Sequence, residues 1–243
     1  RESLQDVITA KAMLGSVAGK KVLVFAQDTA FGQGNVAAVK TIFGADGAAV
    51  SQLLVPATAS DFTSFARQAN DARADLIFVA WAGSTAQSMW QAMDQQGVLT
   101  STRVATGLAE KATWPIFGSA GPKLSLIGLY FQDAARNDVN TYLINQEKKQ
   151  DSFPDLFTPD GFVTAQLLAR AVDRADGDTR VDVMIKALEG YSFLAPKGQE
   201  TVRATDHAML QPMFIARLSG SGSDLSAQVD RTLSPQATAP PQK

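Results

Sequence analysis

Apolar runs of strand length recur about every 27 residues through the first half of the chain, and this rhythm constrains the fold more than any other feature. The runs are KVLVFA (21–26), AAVSQLLV (48–55), DLIFVA (75–80), TRVATG (102–107) and LSLIGLYF (124–131). They are β-branched or continuously apolar, as strands covered on both faces of a parallel sheet must be. Helical periodicity fills the gaps. Val36, Val39, Ile42 and Phe43 form one stripe. Phe62, Phe65, Ala66 and Ala69 form a second, with Ser60 placed to cap its helix. Ala86, Met89, Trp90 and Met93 form a third. Gly44, Gly47 and Gly97 fall where these helices should stop. Strand, helix and strand at this spacing are βαβ units, so the fold class is α/β with a parallel sheet flanked by helices.

From Asn137 the pattern turns helical. Residues 137–149, 160–175 and 179–190 read as helices, the last closing at Gly190. GQETVRAT (198–205) and MLQPMFIARL (209–218) read as late strands, the final one able to return to the first sheet. Such a change of pattern marks a second domain or part of one. From about Ser219 the chain is rich in Ser, Gly, Pro and Gln and reads as a loose end, with too little apolar surface to offset its ordering entropy. At 243 residues and 45% hydrophobic content, one large or two modest cores are within reach.

Several classes of function are excluded by composition. Net charge is −2, so no basic field exists to hold nucleic acid or an anionic membrane. The chain has no cysteine and one histidine, His207, which removes thiol chemistry, iron–sulfur clusters and most zinc sites. No run approaches the ~18 apolar residues of a membrane span. RESLQDVITA at the N-terminus lacks the basic and apolar regions of a signal peptide, so export would rest on a segment outside this chain. Gly32-Gln-Gly34-Asn-Val-Ala37 matches a loose dinucleotide fingerprint, but Gln27 to Phe31 separate it from the strand and no acid ends the second strand. A helix start with small residues accounts for it better. GSVAGKK (15–21) misses the phosphate-loop spacing. His207 has no serine on a nucleophile elbow to serve, and reads as a structural or surface residue. Asp173, Asp176, Asp178 and Asp182 cross a helix–turn–helix junction without the ligand order of a calcium loop, and read as a solvated turn. No cofactor, metal or catalytic set is expected.

Three loops at the carboxyl ends of strands remain. They are Gln27-Asp28-Thr29-Ala30-Phe31-Gly32, Ala80-Trp81-Ala82-Gly83-Ser84-Thr85 and Thr106-Gly107-Leu108-Ala109-Glu110. In an open parallel sheet, ligands bind beyond this edge. The loops supply two aromatics, hydroxyls, helix N-termini and one carboxylate. One aromatic face buried against an apolar ligand is worth ~1.5–3 kcal/mol, and micromolar binding needs about −8 kcal/mol. Two aromatics with a few hydrogen bonds reach that range. The competing account is that Phe31 and Trp81 only cap the sheet.

In their order, GKKVLVFAQDTAFGQGNVAAVK (19–40), SDFTSFARQANDARADLIFVA (60–80), QAMDQQGV (91–98), TPDGFVTAQLLARAV (158–172) and ALEGYSF with PKGQETVRATDHAMLQPMFIARL (187–218) resemble the periplasmic solute-binding proteins of the leucine/isoleucine/valine-binding type, the type I bilobed receptors of ABC transporters. The resemblance implies two α/β lobes of parallel sheets flanked by helices, joined by a three-crossover hinge and closing over a small solute. It implies that 3–130 with 209–220 form the second lobe, that 131–208 are the returning part of the first, and that 221–243 are a flexible tail. It implies a solute-binding role without catalysis, an ABC permease as membrane partner, and a periplasmic or extracellular location. The ligand residues it implies are Thr29, Ala30, Phe31, Trp81, Ala82, Ser84, Leu108 and Glu110, with Phe31 packing on the ligand side chain.

Glu110, or its neighbour Ala109, falls where amino-acid binders of this family place a carboxylate for the ligand ammonium. A hydrophobic amino acid of branched-chain type is the expected solute, and it fits if Glu110 faces the cleft. An aromatic carboxylate fits if it does not, since an unpaired buried carboxylate opposes an anion. The family's opening segment, which builds most of the first lobe's sheet, has no counterpart in this chain. The returning helices are therefore expected to expose an apolar patch, and the isolated chain to be poorly soluble, clipped or associated with its other half. A ligand-sensing receptor domain shares the fold and is the rival reading. A repressor would need a helix-turn-helix and a basic patch, which are not seen.

Overall fold

The computed structural model describes residues 2–220 and 224–242. The chain forms two compact units, one of Glu2–Gly128 with Ile215–Arg231, the other of Leu129–Phe214 with the C-terminal residues from Thr232.

The first unit is built on a seven-stranded sheet. Its strands β1 (Lys21–Gln27), β2 (Ala49–Val55), β3 (Leu76–Ala80), β4 (Arg103–Gly107) and β5 (Ser125–Gly128) fall on the five expected runs. They lie in the order β2-β1-β3-β4-β5, all parallel, with Val22 opposite both Val50 and Leu76. Val22–Ala26 and all of β3 are buried, which is why those segments carry no polar alternation. Edge strand β2 is partly exposed along most of its length, and its sequence is correspondingly mixed.

Helices follow the strands. α1 (Glu2–Ala12) packs on α2 (Ala30–Gly44); α3 (Thr63–Asp71) packs on α4 (Ala86–Gln95), and α4 on the short α5 (Val98–Ser101). Thr29 caps α2, its hydroxyl accepting the Gly32 N–H at 3.2 Å. A Cβ at Gly32 would stand 1.9 Å from the Gln27 carbonyl, so this glycine is a close strand–helix approach and not a nucleotide loop. Ser60 does not cap α3. Asp61 does that work, accepting the Thr63 N–H at 2.9 Å, and this bond holds its carboxyl below the usual range. After β4 comes a 3-10 segment, Lys111–Lys123, which the sequence reading passed over. Pro115, Pro122 and the non-helical Gly118 bar an α-helix there. Lys123 and Ser119 both bond Asp94 of α4 and tie the segment down.

β9 (Met213–Ser219) returns to this sheet beside β5, as expected, and β10 (Ser226–Leu233) lies outside it. β10 corrects the expectation of a loose tail. Its exposed Ser226, Gln228 and Asp230 alternate with half-buried Ala227 and Val229, Arg217 pairs with Asp230 at 2.7 Å, and farther on Thr238 is fully buried. Part of the tail, 221–223, lies outside the described residues, as does Arg1.

The second unit carries α6 (Asp138–Lys148), α7 (Thr158–Arg174) and α8 (Val181–Leu188), and then an antiparallel sheet. That sheet comprises β6 (Ser192–Ala195), β7 (Gly198–Val202) and β8 (Met209–Leu210). One of its clusters is Val163, Phe193 and Ala195, with Leu167, Tyr191 and Met209 packed around them, and Tyr130, Phe131, Leu143 and Phe214 are buried as well. The strand expected at 198–205 is present as β7, paired antiparallel with β6 and β8. Apolar side chains nevertheless stay exposed, among them Val181 (71%), Phe157 (58%) and Leu168 (57%), and α8 buries none of its residues. The acidic junction is ion-paired, Asp173 with Arg170 and Asp178 with Arg180. His207 is on the surface, its Nε2 3.1 Å from Glu189 Oε1.

Candidate functional site

The strand order of the first unit contains a topological switch. β1 has β2 on one side and β3 on the other, so the connections from β1 and β3 leave in opposite directions and open a crevice at their carboxyl ends. Gln27 ends β1, and Trp81 follows β3 directly. Their loops meet there. The Ala82 N–H donates to Gln27 Oε1 at 3.2 Å, Gln27 Nε2 donates to Thr85 Oγ1 at 3.4 Å, and Trp81 Nε1 donates to the same hydroxyl at 3.2 Å. Two rings hold the indole from the protein side. Phe25 stacks on it with centroids 5.6 Å apart, and Phe62 meets it edge-on at 5.3 Å.

Beside this network lies a cavity of about 240 Å³. Trp81, Ala82 and Gly83 form one wall; Ala86 and Trp90, one turn apart on α4, form the next. Thr106 and Gly107 at the end of β4, then Ala109, Thr113, Ile116 and Phe117, complete it. Trp90 and Phe117 are packed together, centroids 5.6 Å apart. The lining is neutral throughout: three aromatic rings, two threonines, and small residues where a ligand needs room. The loop after β4 is held from below. Trp114 Nε1 donates to the Ala109 carbonyl at 2.8 Å, and the Leu108 N–H to the Ile127 carbonyl at 2.8 Å.

Of the residues expected at the site, Trp81 and Ala82 line this cavity. Ser84 stands exposed on the same loop. Thr29 caps α2, Ala30 opens that helix, and Phe31 projects from it 55% exposed, none of them in the cavity wall. Leu108 is buried, at 3% exposure. Glu110 is half-buried outside the lining and precedes the 3-10 segment, where its carbonyl accepts from the Thr113 N–H and hydroxyl. Of the pair between which the family position fell, Ala109 is the one in the wall. Trp90 was missed because Ala86, Met89, Trp90 and Met93 form an ordinary core stripe. Its i, i+4 pairing with Ala86 just past a strand end was the available signal. Phe117 lies in a segment with no periodicity to read.

A doubly wound parallel sheet with a neutral, aromatic-walled cavity at its strand ends is the kind of place where such folds bind ligands. The chain belongs to the periplasmic binding protein family, whose model matches residues 6–224. It is similar to an ABC-type branched-chain amino acid transporter protein from Rhodopseudomonas palustris, with 28% identity, a TM-score of 0.83, and 99% of this chain and 66% of that one covered. A solute-binding protein of an ABC transporter from the same species, solved with p-hydroxybenzoic acid, is 18% identical, with a TM-score of 0.78 and 96% and 65% covered. The leucine-, isoleucine-, valine-, threonine- and alanine-binding protein of Brucella ovis is 16% identical, with a TM-score of 0.78 and 99% and 63% covered. The chain thus spans 63–66% of the length of these structures. A search of curated proteins found no match. Among the described residues, no group of His, Asp and Glu is placed to hold a metal, and no helix is long and apolar enough to cross a membrane.

Proposed function

We propose that this chain binds a small aromatic carboxylate for an ABC importer, outside the cytoplasm, by binding and not by catalysis. The observation that carries the reading is the cavity wall, which offers three aromatic rings and no charged side chain. A ring seated against Trp81, Trp90 and Phe117 gains ~1.5–3 kcal/mol per buried aromatic face. Thr106 and Thr113 supply hydroxyls for a ring substituent or a carboxylate oxygen. An ammonium group would find no carboxylate in this wall, and its unpaired burial would oppose binding. Hinge closure over the solute, with delivery to a membrane permease, is the mechanism that family membership suggests.

A hydrophobic amino acid of branched-chain type is the second reading. It is favoured by the Rhodopseudomonas structure of that description and by Glu110, a carboxylate one residue from the wall.

Thermal shift separates the two. Benzoate and 4-hydroxybenzoate at ~100 times their dissociation constants should raise apparent stability by about 2.7 kcal/mol, with leucine and phenylalanine inactive. A shift with the amino acids alone, lost in Glu110→Gln, would overturn the aromatic reading in favour of the second. No shift with any of them would overturn both.

A further inference from the structure

Gln27 does not line the cavity, yet it is the residue from which the Trp81 wall hangs. The hydrogen-bond inventory fixes its orientation. A backbone N–H only donates, so the Gln27 atom facing Ala82 is the carbonyl oxygen, and Nε2 is turned to Thr85. The indole Nε1 of Trp81 also only donates. Thr85 Oγ1 therefore accepts twice, from Gln27 and from Trp81. Phe25 and Phe62 pack on the ring but give its N–H no acceptor. The Thr85 hydroxyl is the group to which the indole N–H is directed, and Gln27 bonds the same hydroxyl. The same side chain pins the Ala82 N–H, so it bridges the switch point from β1 to the loop after β3.

We infer that Gln27 is a positioning residue for solute binding, setting the face of Trp81 through Thr85 without touching the solute. The inference rests on the proposed binding role for its consequence and on the relay alone for its geometry. That separation makes it testable on two independent readouts.

The first readout needs no ligand. The chain has three tryptophans, so three indole N–H resonances report on three sites. In Gln27→Leu the Trp81 resonance should move, while that of Trp114, bonded to the Ala109 carbonyl, stays. The near-isosteric Thr85→Val should move the same resonance from the other end of the relay. Gln27→Glu should return it close to the parent position, because a carboxylate still accepts from Ala82 and lets Thr85 donate to it while accepting from Trp81. The second readout is affinity for 4-hydroxybenzoate, expected to fall about 3- to 10-fold in Gln27→Leu, the scale of one neutral hydrogen bond. If none of the three resonances moves, or all three move together, the relay is wrong whatever binds. If the Trp81 resonance moves alone but affinity is unchanged, the positioning role is overturned. If the parent protein binds neither 4-hydroxybenzoate nor leucine, the binding role has failed, and the resonances still judge the relay.

Discussion

The two units bury their apolar residues by different means. The larger closes helices over both faces of a parallel sheet, so β1 and β3 contribute whole runs of buried side chains and Phe25 and Ile77 are fully enclosed. The smaller has three short antiparallel strands, with α6 and α7 contributing buried residues such as Leu143, Val163 and Ala171, and it leaves α8 with nothing buried. Their polar interiors differ too. In the larger unit a buried polar group such as Thr106 is neutral and bonded, here to the Val79 carbonyl at 3.0 Å. In the smaller, Lys197 and Glu200 are charged types at 2% and 1% exposure. Lys197 Nζ donates to Asp160 Oδ1 at 2.9 Å and to Gln211, and stands 4.0 Å from Glu200 Oε1, which has no hydrogen-bond partner. The smaller unit thus holds an ionisable pair in its interior where the larger holds neutral groups.

The largest test of that contrast is truncation. Phe25→Ala should cost about 3–5 kcal/mol by urea unfolding, because the ring is enclosed and also backs Trp81. Ile185→Ala on α8 should change stability by less than about 0.5 kcal/mol. Equal costs would erase the difference between the units.

Next in size is a pH effect confined to the smaller unit. Burial lifts the Glu200 carboxyl from 4.5 to about 7, with Lys197 pulling it down and Asp160 pushing it up. The folded state then holds this proton more tightly than the unfolded chain. Its contribution is full below pH 4.5 and is lost as pH rises through about 7. The shift corresponds to on the order of 3 kcal/mol. Denaturation of the parent at several pH values should show stability falling across that window, and Glu200→Gln should flatten the slope. A slope kept in the variant would assign it elsewhere.

Helix caps give the smallest effect and sharpen the comparison from the other side. Asn137 caps α6, accepting the Asn140 N–H at 2.9 Å, and Thr29 caps α2. Each change to Ala should cost ~1 kcal/mol in melting experiments, since a cap depends on local backbone and not on the core beneath it. A cap worth several times more in one unit would mean that the units differ in more than their cores.

The same contrast governs how much was legible in the sequence. The five parallel strands stood out because enclosure on both faces demands unbroken apolar runs, and α2, α4 and α6 because they show one face to a core. β10 did not, because an edge strand needs few apolar residues: Ser226, Gln228, Asp230 and Arg231 resemble a polar tail until pairing is seen. The 3-10 segment, broken by two prolines and Gly118, has no period at all. At the site, Trp81 and Ala82 followed from the rule that ligands gather beyond strand ends. Trp90 and Phe117 did not, since an aromatic facing a cavity and one facing a core look alike in sequence. Leu108, on the loop after β4, is buried and outside the cavity lining. Gln27 carries its meaning only through partners 55 and 58 residues away.

The measurement closest to the central claim is calorimetric titration of 4-hydroxybenzoate into the parent protein and Trp81→Ala. Saturable one-site binding, weakened by about tenfold or more when the ring is removed, is the result expected for a solute held against the Trp81 wall. Binding with the same affinity in both proteins would contradict it and place the solute elsewhere.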